Sequence, residues 1–484
     1  MDKEIKKNIL KGSAATSIGT VSGMVFQFIA IMLMTRFVTK EDFGLYALIM
    51  VVVNLFNLLG GLGLELTMVK WISSHNKSEQ EQILLPVLIL RGSASLITSV
   101  IFILFAKYIL HFFDDRLIIF LFYIPVIFIL SNFRDLFYNL LQGLNQFKHY
   151  SIVNVVSSVF RVVAILPFLY FYKLNLEILL IIEILVTLQP LVHQIFIIPF
   201  RKLIRNKPSK EIFKKVIKFS IPLYLNNLVV FISGRMNIFL IGLYLSAESI
   251  ANFDVATKVP VALKKIFQSF IIVYFPNLSR LFSAGEKTTA KNFISKSLSI
   301  FSIITIFGVT ISFLFREELT VLLFSDQYRE IAFAFAMLIL NFYFRGVSDL
   351  IGYSFVPAGY SSVSVKVNTI ATLVSIGGSI ILIPIYGFMG AVYSLLAMNI
   401  ISIIVFYLFA LHYRINPKAF VFLTPLMIAG IILIVYFLIG EETLVIKISI
   451  LMITFIILWF VLDDLRNISL SAVRQLRKLK WSNR

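Results

Sequence analysis

A chain of 484 residues that is 59% hydrophobic and 14% charged, with a mean hydropathy of +0.92, is too apolar to cover a soluble surface with polar atoms. It contains no cysteine, and its five histidines are scattered without metal-ligand spacing, which excludes disulfides, thiol nucleophiles and Cys-ligated metal centres. The net charge of +19 would suggest nucleic acid in a soluble protein; in a membrane protein it reads as basic cytoplasmic loops, with no nucleic-acid partner.

The N-terminus carries Lys3, Lys6, Lys7 and Lys11 and then an apolar run to Val38, longer than a signal-peptide core, so it reads as a retained first helix. Further apolar segments follow at about 43–70, 83–110, 117–142, 151–172, 176–199 and 217–245. The series continues at about 247–275, 293–315, 328–356, 364–385, 388–411, 420–439 and 443–462. At about 20 apolar residues per span, this pattern predicts an all-α polytopic membrane protein with about 14 transmembrane helices. Basic residues cluster at the start, at 201–218, at 280–296 and in the tail from Arg466, whereas Asp114, Asp115, Glu317, Glu318, Glu441 and Glu442 sit in the alternate loops. That asymmetry predicts both termini on the cytoplasmic side of the plasma membrane.

The basic connection at 201–218 is the one internal boundary. It divides an N-terminal lobe at 1–200, helices 1–6, from a C-terminal lobe at 219–412, helices 7–12. Helices 13–14 at 413–464 and a basic cytoplasmic tail at 465–484 then follow. The two sides repeat weakly. The turn from Thr39 to Tyr46 has a counterpart from Ser246 to Phe253, each opening on a helix-capping hydroxyl with an acid soon after. The stretch Tyr138–Asn154 resembles Tyr353–Asn368, with Gly143 beside Gly359. Six helices per copy make the repeats parallel, related by an axis along the membrane normal.

Ionisable side chains inside the bilayer cost several kcal/mol unless paired or hydrated, so they are functional candidates by default. Arg134 and Asp135 fall in the fourth helix, Arg161 midway along the fifth and Arg235 in the seventh. Asp254 and Lys258 fall in the eighth helix, Arg345 and Asp349 in the tenth, and Glu65 towards the cytoplasmic side of the second. Arg345/Asp349 and Asp254/Lys258 are four apart and share helix faces, so each pair fits either internal neutralisation or a polar cavity. Arg161 and Arg235 have no acid within a turn of their own helix, which favours a cavity. Each Arg/Asp set in helices four and ten is followed by a tyrosine, Tyr138 and Tyr353.

The segments Lys11-Gly-Ser-Ala, Leu33-Met-Thr-Arg36, Thr39-Lys-Glu-Asp-Phe-Gly-Leu-Tyr46 and Leu140-Leu-Gln-Gly-Leu-Asn-Gln-Phe147, with the six-plus-six-plus-two plan, resemble the polysaccharide or lipid-linked oligosaccharide flippases. These belong to the multidrug/oligosaccharidyl-lipid/polysaccharide exporter superfamily. The resemblance implies two lobes working by alternating access to move an isoprenoid-diphosphate-linked oligosaccharide across the cytoplasmic membrane. It implies an ion gradient of H+ or Na+ as the drive and no other cofactor. Expected partners are the lipid-linked glycan, membrane lipids and other polysaccharide-assembly membrane proteins. On this reading Arg235, Arg345, Arg134, Arg161 and Lys258 bind the diphosphate or anionic sugars, since a guanidinium fork suits phosphate oxygens. Asp254, Asp349, Asp135 and Glu65 then gate or couple. No P-loop is present, so direct ATP use is not expected. Three alternatives stay open: a flippase for the peptidoglycan lipid precursor, a drug or cation exporter of the same superfamily, and a membrane glycan polymerase or ligase. Short outer loops argue against the last.

Overall fold

A computed structural model describes residues 3–74, 77–111, 114–170, 174–204, 210–439 and 443–461. The expected tail at 465–484 lies outside them, as do Arg205 and Lys207 of the basic connection and the Glu441–Glu442 pair. The described residues form helices and turns and no strand. Two compact units divide the chain, Met1–Asp254 and Val255–Arg484.

The first unit holds α1 (Lys3–Phe37), α2 (Lys40–Gly61), α3 (Leu64–Ser74), α4 (Lys77–His111) and α5 (Tyr123–Gly143). It continues through α6 (Phe147–Tyr170), α7 (Leu176–Ile197), the short α8 (Phe200–Leu203), α9 (Lys210–Tyr244) and the first turns of α10 (Ala247–Ser283). The second unit takes the rest of α10 and then α11 (Lys287–Leu314), α12 (Arg316–Leu323) and α13 (Ala332–Phe355). It ends with α14 (Ser361–Tyr386), α15 (Phe388–His412), α16 (Phe420–Ile439) and α17 (Leu444–Val461). Twelve of the described helices are long and apolar enough to cross a membrane. The predicted fourteen are completed by α9, whose middle carries Asn226, Asn227 and Arg235, and by the shorter apolar α17.

Local chemistry explains how these helices start and stop. The Thr39 hydroxyl caps α2 by accepting from the Asp42 N–H at 3.1 Å, and Asn175 caps α7 through the Ile178 N–H at 3.0 Å. The expected twin of Thr39 behaves differently, because the Ser246 hydroxyl lies 3.4 Å from the Ser249 hydroxyl. Many Ser and Thr hydroxyls bond back to the carbonyl four residues earlier, as Ser99 does to Ser95 at 2.7 Å and Thr310 to Ile306 at 3.0 Å. Such self-satisfaction suits helices whose outer neighbours are hydrocarbon.

The second predicted span is not one helix. It breaks between α2 and α3, where Leu62 (φ 51°) and Gly63 (φ 69°) take left-handed conformations. Gly63 also lies against α9 so closely that a Cβ there would fall 2.6 Å from the Ser220 carbonyl oxygen. Around this break Leu64, Met68 and Ile72 of α3 pack with Ile83, Leu84 and Val87 of α4 and with Leu136, Leu140 and Leu141 of α5. In the second unit Phe267, Phe301 and Phe342 make an aromatic cluster from α10, α11 and α13, and the Tyr343 hydroxyl donates to the Phe422 carbonyl, tying α13 to α16. Large apolar side chains such as Leu96, Ile97, Leu104, Leu373 and Ile434 remain exposed, as a lipid-facing surface requires.

The internal repeat is visible in helix ends. A 3-10 turn, Asp115–Phe120, precedes α5, and another, Asp326–Ile331, precedes α13. Past α5 the Asn145 N–H bonds the Gln142 carbonyl and the Gln146 N–H that of Leu141; past α13, Gly359 and Tyr360 do the same to Val356 and Phe355. Both are Schellman closures with a left-handed residue, Asn145 (φ 57°) and Gly359 (φ 90°). The structural partner of Gly359 is therefore Asn145 and not Gly143, a two-residue change from the register that the sequence suggests. In the corrected register Asp135 and Asp349 coincide, each ten residues before its left-handed residue.

Candidate functional site

The first unit carries two open cavities with polar groups in their lining. One, about 240 Å³, is lined by Gln27 of α1, by Arg134, Asp135 and Tyr138 of α5, and by Asn154, Ser157, Ser158 and Arg161 of α6. Val186 and Pro190 of α7 close its apolar wall. Its charges are internally balanced. The Arg134 Nε donates to Asp135 Oδ1 at 2.8 Å. Arg161 reaches across to α7, where Nη1 and Nη2 donate to the two carboxylate oxygens of Glu183 at 2.7 and 3.0 Å. The Tyr46 hydroxyl of α2 donates to the same carboxylate at 2.8 Å. Glu183 is only 4% exposed, and a bidentate guanidinium plus a hydroxyl is the kind of full satisfaction a buried carboxylate needs.

The second cavity, about 420 Å³, lies at the α2–α3 break. Asn54, Asn57, Gly63 and Glu65 line one side, and Asn227, Phe231, Gly234 and Arg235 of α9 the other. Glu65 is held by Arg91 of α4, whose Nη2 lies 2.6 Å from Glu65 Oε1. Arg91 is fully buried and also donates to the Gly61 carbonyl at 2.6 Å and to the Asn132 carbonyl at 3.0 Å. It thereby stoppers the carboxyl end of α2, where unsatisfied carbonyls concentrate negative charge. One hydrogen bond links the cavities: the Asn57 Nδ2 donates to Asp135 Oδ2 at 3.3 Å.

Arg235 sits roughly 14 Å from the end of α9 at 1.5 Å per residue and is exposed. Arg91, Arg134, Arg161 and Arg345 all have carboxylate partners, whereas Arg235 has none among the described residues. Beside it, the Cα of Gly234 faces open space.

In the second unit, the Arg345 Nε lies 3.0 Å from Asp349 Oδ1. Tyr353 and Lys264 both feel the charges of this pair, and Tyr138 feels Arg134 and Asp135 in the same way. The tyrosines thus accompany their Arg/Asp sets, and Lys264 of α10 lies near the second set. Asp254 is buried and Lys258 half-buried in α10.

Sequence reasoning takes Arg161 as acid-free because it considers only Arg161's own helix; the partner, Glu183, lies on α7. Glu183 and Arg91 escape notice altogether, although a single acid inside Leu-Leu-Ile-Ile-Glu-Ile-Leu and a single arginine inside Leu-Ile-Leu-Arg were signals enough. Sequence reasoning does not single out Lys447 either: it is 4% exposed and its Nζ meets Glu318 of α12 at 2.5 Å, fastening α17. No group of three or more potential metal ligands occurs among the described residues.

A family model described as polysaccharide biosynthesis protein matches residues 9–282. No curated protein matches the chain by sequence. Among solved structures, a lipid II flippase, MurJ, in an inward closed conformation superposes with a TM-score of 0.70 at 17% identity, covering 92% of this chain and 97% of that one. An inward-facing multidrug resistance MATE family transporter of the MOP superfamily gives 0.64 at 16% identity, over 82% and 94%. A point mutant of the Vibrio cholerae MATE transporter VcmN gives 0.56 at 13% identity, over 84% and 96%. At these identities the likeness establishes a common fold.

Proposed function

Because the chain belongs to the polysaccharide biosynthesis protein family, we propose that it is a flippase carrying an isoprenoid-diphosphate-linked glycan across the cytoplasmic membrane, with both termini on the cytoplasmic side. Its fold, common to flippases and transporters, supports translocation over an enzymatic reaction.

The observation that carries the reading is Arg235: an exposed guanidinium deep in a spanning helix, beside a polar cavity and without a carboxylate partner among the described residues. A cation left unpaired inside hydrocarbon is costly, and a passing diphosphate is the counter-ion that would repay it. Arg134, Arg161 and Arg345 already have carboxylates, so in this reading they and Lys258 contribute polar lining and field. Asp135 and Asp349, equivalent in the repeat, are the coupling carboxylates for H+ or Na+, and Asp254 and Glu65 are gating residues. A second reading, translocation of the peptidoglycan lipid precursor, rests on the likeness of fold to the lipid II flippase and requires the same diphosphate chemistry.

Flipping of a fluorescent isoprenoid-diphosphate oligosaccharide in proteoliposomes tests this, with and without imposed proton or Na+ gradients. Losing a charged hydrogen bond costs about 1.5–3 kcal/mol, so Arg235→Ala is expected to slow flipping roughly ten- to a hundredfold. Asp135→Asn and Asp349→Asn are expected to abolish the gradient dependence. A wild type that moves only lipid II selects the second reading. One that moves no lipid-linked substrate and extrudes cationic dyes overturns both.

A further inference from the structure

We propose that the 240 Å³ cavity among α1, α5, α6 and α7 is a subsite for a single uncharged sugar ring of the glycan. This rests on the flippase reading and adds to it a second place of contact, distinct from the anion anchor at Arg235.

The argument begins with charge. Two guanidiniums meet two carboxylates here, Arg134 with Asp135 and Arg161 with Glu183, so the cavity is neutral whenever Asp135 is ionised and carries no coupling ion. An anion entering it would add an uncompensated charge in a low-dielectric interior, which is disfavoured. A neutral ligand adds none. The lining is nonetheless rich in hydrogen-bonding capacity. Among the described residues, no side-chain hydrogen bond engages the amides of Gln27 or Asn154, and Arg134 uses only its Nε. An amide offers donors and acceptors together, and a sugar hydroxyl is both donor and acceptor. Adjacent amides and hydroxyls therefore match vicinal hydroxyls better than they match a phosphate, which only accepts. Ser157 and Ser158, whose hydroxyls donate back to the Val153 and Asn154 carbonyls, add acceptor oxygens on the same wall.

Shape agrees. Val186 and Pro190 give one apolar side for the C–H face of a pyranose. The Tyr138 ring is held in place by an edge contact with Tyr150 at 5.3 Å between centroids. The volume falls below the roughly 300–1,000 Å³ of sites for drug-sized ligands, so it holds about one ring, with the rest of the glycan left outside through its open side.

The absence of cysteine makes the test clean. In the full-length protein in nanodiscs, Ser158→Cys is labelled with a small maleimide in the presence of methyl glycosides: glucoside, galactoside, mannoside, N-acetylglucosaminide and glucuronide. At least one uncharged glycoside is expected to slow labelling threefold or more, and Asn154→Leu added to the labelled variant is expected to remove that protection. A parallel arm compares binding of isoprenyl diphosphate with and without its glycan. Gln27→Ala/Asn154→Ala should lose at least tenfold of the glycan-dependent gain while binding the bare diphosphate lipid within twofold of wild type. Labelling that no glycoside slows, or that only the glucuronide slows, overturns the subsite, as does an unchanged glycan increment in the double variant. Sugar protection in a protein that binds no diphosphate lipid would keep the subsite and overturn the flippase reading.

Discussion

At the residue scale, the molecule turns on which buried charges have partners. Glu183→Gln strands Arg161 in the interior, and breaking a buried pair costs about 3–5 kcal/mol. The melting temperature in detergent is expected to drop sharply, whereas Arg161→Met combined with Glu183→Leu should recover most of it. Gly234 offers a contrasting case, because a side chain there meets open space. Gly234→Ala is expected to stabilise α9 by up to about 1 kcal/mol through helix propensity. Gly234→Leu should fold equally well and impair flipping by filling the cavity beside Arg235, with thermal unfolding and transport measured on the same preparation. Arg235 and the Arg345–Asp349 pair were legible in the sequence, since depth and i,i+4 spacing are properties of one helix. Arg161 and Glu183 were not legible as a pair, because their proximity depends on how α6 packs against α7.

At the element scale, helix ends carry what periodicity does not. Apolar runs located the spans well, but the break in the second span needed knowledge of α9, whose backbone forces the approach at Gly63. The repeat was likewise legible as similarity, in register at Asn154/Asn368 but two residues out at Gly143/Gly359, because an asparagine can take the left-handed turn a glycine takes. Gly44 makes a testable contact: a Cβ there would lie 1.8 Å from the Ala247 carbonyl oxygen. Gly44→Val should therefore destabilise the packing of α2 against the start of α10, with a lowered melting temperature, while Gly359→Asn should be tolerated. The turn before α5 gives a pH signature. Arg116, hydrogen-bonded to Asp114, holds that carboxyl below its ordinary value. A lowered carboxyl pKa stabilises the fold above the ordinary value of about 3.9, and that contribution fades as pH falls through the lowered one. Melting measured from pH 5 to pH 3 should fall less steeply in Asp114→Asn than in wild type.

For the whole molecule, orientation was read from loop charges alone, and it makes a definite expectation for labelling in intact cells or sealed vesicles. Single cysteines at Asp115 and at Gln327 should react with an impermeant maleimide from outside, and one at Gly285 only after permeabilisation. Class and span count were legible because hydrocarbon imposes length and composition on every segment that crosses it; the polar interior was not, since it depends on side chains from helices far apart in sequence. Arg91 illustrates what that interior demands during synthesis. A lone arginine at mid-helix raises the insertion cost of its segment by about 2.5–3.5 kcal/mol on the translocon scale. Its partners arrive in order: the Gly61 carbonyl and Glu65 are made before it, and the Asn132 carbonyl after. The nascent chain thus has two of three ligands for Arg91 waiting when α4 emerges, and the second and third spans are expected to enter the bilayer as one hairpin rather than one at a time.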